Sequence, residues 1–133
     1  MTRTQARETA FFIVFEHSFS GETVAEIIDK STEARDLDVP EFSRFLAQKV
    51  IDSKEELDSH ISRLSRGWTI DRISRVSLAI LRVAICEILY SEDIPSSVAI
   101  NEAVNLCKMY AGEEDYAFVN GILGSFVRER EEK

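Results

Sequence analysis

From about Ser74 to Tyr90 the chain sets Val76, Leu78, Ile80, Leu81, Val83, Ile85, Cys86, Ile88 and Leu89 in nearly every direction around a helix. A helix that is apolar all round must be covered on every side. The remaining segments therefore have to act as packing partners for this one. Arg82 and Glu87 interrupt the apolar surface, and each needs a partner because an unpaired buried charge is strongly disfavoured. The same two residues keep every apolar run shorter than the roughly 18 residues that suggest a membrane span.

The segments on either side read as helices with one apolar face. Residues 4–19 carry Ala6, Ala10, Ile13 and Val14 in one row and Phe11, Phe15 and Phe19 in the next, with Thr2 or Thr4 as candidate cap. Gly21 breaks the chain, and residues 22–34 form an acidic helix with Val24, Ile27 and Ile28 inward. Residues 36–40 are a linker. The spacing of Phe42, Phe45, Leu46, Val50, Leu57, Ile61 and Leu64 predicts one long helix over 41–65, ending at Gly67-Trp68. After the central helix, Asp93-Ile94-Pro95 opens a helix whose face is Ala99, Ala103, Leu106, Cys107 and Tyr110. Gly112 suits its C-terminus. Glu113, Glu114 and Asp115 suit the positive end of the last helix, where Val119, Ile122, Leu123, Phe126 and Val127 share one stripe. With only 5 Gly and 2 Pro in 133 residues, a turn-rich β architecture is disfavoured. The expected fold is all-α, a compact two-lobed bundle of six or seven helices. A single domain spans 1–133, with an N-terminal lobe over 1–67 and a C-terminal lobe over 68–133.

The charges bear on function. The net charge of −8 argues against loose binding to nucleic acid. Its distribution is uneven. Residues 22–58 and 83–133 each carry −6, whereas residues 59–82 carry +4 from Arg63, Arg66, Arg72, Arg75 and Arg82 against Asp71. Arginine suits planar recognition of phosphates and bases, and it also pairs readily with neighbouring acidic helices. Arg3 and Arg7 share a face at the start of the first helix, where cations oppose the helix dipole. Asn101, Glu102 and Asn120 sit beside apolar rows, placed for local hydrogen bonds or for binding. Cys86 and Cys107 lie within apolar patterns and read as reduced core thiols, as in a cytoplasmic protein. With His17 and His60 they form no metal-ligand spacing. No phosphate loop, serine elbow or His–Cys arrangement is present, so the chain should act by binding, without a cofactor.

Ile80-Leu81-Arg82, Glu87-Ile88, Asp93-Ile94-Pro95, Val98-Ala99-Ile100-Asn101-Glu102-Ala103-Val104, Lys108 and Phe118-Val119-Asn120-Gly121-Ile122-Leu123 together resemble the NusB family of transcription antitermination factors. The likeness is dense from Trp68 to Leu123, and Arg3 with Ala6-Arg7-Glu8 resembles the family's start. The resemblance implies binding of boxA-type single-stranded RNA jointly with the ribosomal protein NusE, within an RNA polymerase complex that reads through terminators, notably in ribosomal RNA operons. It implies an RNA surface at Arg3, Arg7, Tyr110, Asp115 and Phe118, with Arg72 and Arg75 as nearby basic candidates. It also implies NusE contacts at Phe15 and Ser77. Stacking of bases on rings with arginines on phosphates suits such a strand. Family members often carry more N-terminal arginines than the two found here, so affinity for RNA alone should be modest and raised by NusE. The resemblance admits a homodimer as well as a monomer.

Two alternatives stay open. A NusB-like domain also begins ribosomal RNA cytosine methyltransferases, which would require a catalytic domain after Lys133. A helical adaptor or homodimer without an RNA role fits the −8 charge.

Overall fold

The central segment forms helix α5, Arg75–Tyr90, and residues 77–88 of it are all buried. The structure, a computed structural model, describes residues 2–35, 39–66, 69–91 and 93–131, with side chains omitted for 32–35. Around α5 stand α1 (Arg3–Ser20), α2 (Val24–Arg35), α3 (Glu41–Asp52), α4 (Lys54–Leu64), α6 (Ser96–Tyr110) and α7 (Glu113–Glu131), with a 3₁₀ turn over Ile70–Arg72. The described residues contain no strand. α5 touches α1, α3, α4, α6 and α7, which is why its apolar residues need no preferred side. One continuous core joins all seven helices, with Phe11, Leu46, Leu57, Ile61, Ile80, Leu81, Ile85, Leu123 and Phe126 almost completely enclosed. Among the described residues no helix is long and apolar enough to cross a membrane.

Local chemistry sets the helix ends. Thr2 caps α1 in a reciprocal box: Gln5 N–H donates to Thr2 Oγ1 at 3.1 Å, and Thr2 N–H donates to Gln5 Oε1 at 2.8 Å. Gly21 ends α1 in the left-handed region at φ 70°, which a side chain would strain. Thr23 and Glu26 repeat the capping box ahead of α2. Ser74 caps α5 by accepting from Ser77 N–H at 3.1 Å.

Two expectations change. The single helix over 41–65 is two helices, broken at Ser53 (φ −107°, ψ 14°). Residues 52–56 are five consecutive polar residues, so nothing apolar holds that turn straight, and Asp and Ser favour non-helical backbone. The break turns α4 onto α5 and α7 while α3 packs on α1 and α5. Gly112 does not take the left-handed backbone of a C′ glycine; α6 ends instead through the extended Ala111. The Gly67-Trp68 helix end, part of the 36–40 linker, and Glu132-Lys133 of the charged tail lie outside the described residues.

Candidate nucleic-acid and partner interface

α1 carries both N-terminal arginines, and the fold separates their roles. Arg3 is exposed, and its guanidinium lies over the Phe42 ring of α3, 3.9 Å from the ring centre. Arg7, one turn on, is 4 % exposed. Its Nε donates to both Glu87 carboxylate oxygens at 2.8 Å, and a terminal nitrogen reaches Glu87 Oε2 at 2.8 Å. Another nitrogen lies 3.6 Å from Glu102 Oε1, which also accepts from Thr4 Oγ1 at 2.8 Å. Arg7 therefore ties α1 to α5 and α6 and has no free edge to offer a phosphate. The pair supplies the partner that Glu87 required. Arg82 finds its own in Asp58 of α4, with bonds of 2.7 and 2.8 Å.

Further along α1, aromatic rings come to the surface. Tyr110, at the end of α6, is 41 % exposed and stands edge-on to Phe12, with ring centres 5.2 Å apart. Its hydroxyl donates to Glu8 at 2.7 Å, which holds the phenol above its ordinary pKa. Phe12 is 41 % exposed and Phe19 58 %, and Met109 is also exposed. Phe15, half-buried, lies between Phe11 and Phe19, with ring centres 6.0 and 4.8 Å away. Arg75 caps this end, its guanidinium 4.5 Å from the Phe19 ring centre and donating to Ser18 C=O at 3.1 Å. Arg72 is exposed on the 3₁₀ turn. Asp115, half-buried at the start of α7, accepts from Ser74 Oγ at 3.5 Å and so joins the first turns of α5 and α7. Phe118 is half-buried against the core.

The residues expected at the site thus fall at separate places. Arg3 and Arg7 mark one end of α1. Arg75 sits by its other end, about 24 Å away at 1.5 Å per residue. Tyr110 lies between. Ser77 does not reach a surface: it is completely buried, and its hydroxyl has no hydrogen-bond partner among the described residues. The reason is the same one that buries α5 throughout. Sequence reasoning missed Phe12, because it lies outside both apolar rows of α1, and it placed Phe19 and Phe45 inward. A residue of a helix row at the rim of its packing partner shows the same spacing as a core residue.

Among the described residues no group of His, Cys, Asp and Glu could hold a metal ion. Burial pushes the Cys86 and Cys107 thiols up to about 12, which makes both poor nucleophiles.

The site is therefore an exposed surface of rings and arginines on an all-helical protein, built for binding along α1. The NusB family model matches residues 4–128, and the chain belongs to the NusB family. It is 42 % identical to the transcription antitermination protein NusB of Acetivibrio thermocellus over 130 residues, covering 96 % of this chain and 90 % of that protein. It is 38 % identical to that of Clostridium acetobutylicum over 136 residues, covering all of both chains. Among solved structures it matches T. maritima NusB with a TM-score of 0.82 at 31 % identity, covering 97 % of this chain and 92 % of that one. It also matches a crystal structure of the antitermination factors NusB and NusE in complex with double-stranded RNA, with a TM-score of 0.84 at 27 % identity, covering 97 % and 99 %.

Proposed function

We propose that this protein is a transcription antitermination factor that binds boxA-type RNA together with NusE and promotes read-through by RNA polymerase, notably in ribosomal RNA operons. The observation that carries the reading is the family match over residues 4–128, joined to a solved relative of almost equal length in complex with NusE and double-stranded RNA. The chain's own chemistry supports it. Arg3 is an exposed cation over a ring, and Tyr110 presents an exposed ring, the two elements that hold a phosphate and a base of a single strand. Asp115, an acceptor, and Phe118, a half-buried ring, are further candidates on α7. Arg72 and Arg75 extend it as weaker, more distant cations. Arg7 serves from inside, by fixing the α1 start that carries Arg3.

NusE is assigned to the other exposed part of α1, where Phe12, Phe15 and Phe19 form an apolar strip. Large rings of this kind are typical anchors of protein interfaces. A second copy of this chain could bury the same strip, and that dimer would compete with NusE. The protein acts by binding, and its place is the cytoplasm, where transcription occurs.

The test is transcription in a reconstituted system on a terminator template carrying boxA. Adding the protein with NusE should raise the read-through product, and Arg3→Ala should reduce the gain. Equal read-through on a template with a scrambled boxA would overturn the reading.

A further inference from the structure

We propose that the groove between the starts of α1 and α3 and the α5–α6 turn holds one unstacked base of the bound RNA strand. The inference rests on the RNA reading above and deepens it. The groove encloses about 470 Å³ and is lined by Arg3, Phe42, Phe45, Tyr90, Asp93 and their neighbours. Along α3, Phe42, Phe45 and Lys49 recur at i, i+3 and i+7 and so share one face. Phe42 is already covered by the Arg3 guanidinium. Phe45 is not covered: 46 % of its surface is open, although it belongs to a row whose other members pack inward. Lys49, one turn beyond Phe45 on that face, stands 4.4 Å over the ring of Tyr90, which lines the groove.

The result is an open ring between two cations. Single strands are held in this way, bases on rings and phosphates on cations. Arg3 is also shared with the proposed RNA surface, so the groove continues that surface rather than standing apart from it. Asp93 gives the slot a direction. It is exposed and has no hydrogen-bond or ion-pair partner among the described residues. A carboxylate repels phosphate and accepts from amino groups, so the base faces inward and its phosphates lie toward Arg3 and Lys49. A base with an exocyclic amino group, such as guanine or cytosine, suits this edge better than uracil.

The test uses the whole protein and a fluorescently labelled boxA-type single-stranded RNA, comparing wild type, Phe45→Ala and Phe45→Trp. Phe45→Ala should melt as wild type does and bind the RNA about 5- to 150-fold more weakly, the equivalent of ~1–3 kcal/mol for one stacked base. Phe45→Trp should retain affinity, and RNA should quench fluorescence beyond any change seen in the wild type, which already contains Trp68. Wild-type affinity in Phe45→Ala would overturn the slot and leave the RNA reading standing. Loss of affinity in both variants with unchanged melting would show that the ring gives shape rather than stacking, and would also overturn it. Loss of NusE binding with RNA binding intact would assign the groove to the protein partner instead. No RNA binding by the wild type would remove the slot and the RNA reading together.

Discussion

Arg3 and Arg7 stand one helical turn apart and meet different surroundings. Arg7 is enclosed with Glu87, so Arg7→Ala leaves a buried carboxylate without its partner. Such losses cost about 3–5 kcal/mol, and urea unfolding should show a fall of that size. Arg3→Ala removes an exposed cation, and its stability should stay within about 1 kcal/mol of wild type. A pair of variants that unfolded alike would refute this division. It also means that a joint Arg3 and Arg7 variant reports on folding as well as on RNA. The spacing of these residues showed a shared helix face, but Arg7's partner lies 80 residues away on α5, and helix periodicity carries no information about which distant carboxylate closes on it. The thiols allow a second check. With Cys86 and Cys107 both pushed up to about 12 by burial, the folded protein at about pH 8 should resist alkylation that the urea-unfolded chain undergoes readily. Rapid labelling of the folded protein would contradict the burial. His60 gives a third. Burial first, and the nearby Arg63 charge second, hold its imidazole below the ordinary 6.5. The unfolded chain therefore takes up a proton more readily, and stability complete above 6.5 is lost as pH falls below it. His60→Gln should lose less stability than wild type on acidification from about pH 7 to about pH 5; parallel losses would show that other groups dominate.

Among the elements, α5 sets the terms for the others. Leu81 sits at its middle with no exposed surface, and Leu81→Ala should cost about 2–5 kcal/mol, measured by denaturant unfolding. A change below about 1 kcal/mol would mean that the site collapses around the cavity. This helix was legible because a segment apolar on every side has to be enclosed by its neighbours, and α7 was legible through its stripe from Val119 to Val127. The α3–α4 break was not. Val50 and Leu57 are seven residues apart, a spacing that keeps the apolar row in phase, so periodicity ran straight through Ser53. The polar run over 52–56 permits the break, and the helices on its two sides have different neighbours: α3 packs on α1 and α5, α4 on α5 and α7. The candidate interface was harder still. Phe45 and Leu46 are adjacent apolar residues, and only the position of the neighbouring helices decides that Leu46 is enclosed while Phe45 reaches the surface.

On the scale of the whole molecule, a net charge of −8 limits what electrostatics can contribute. If two to four of Arg3, Lys49, Arg72 and Arg75 meet phosphates, log K against log salt should have a slope of about −1.4 to −2.8, at −0.7 for each single-strand phosphate. A much steeper slope would require cations elsewhere, the acidic helices notwithstanding. With so small an electrostatic share, the ring contacts and the second protein have to supply the remainder. The most direct measurement is therefore the affinity of the pure protein for a labelled boxA-type RNA with and without NusE. Binding alone should be modest, with a gain of about tenfold or more with NusE, a coupling of ~1.4 kcal/mol. Equal affinity in both conditions, or no binding in either, would contradict that expectation.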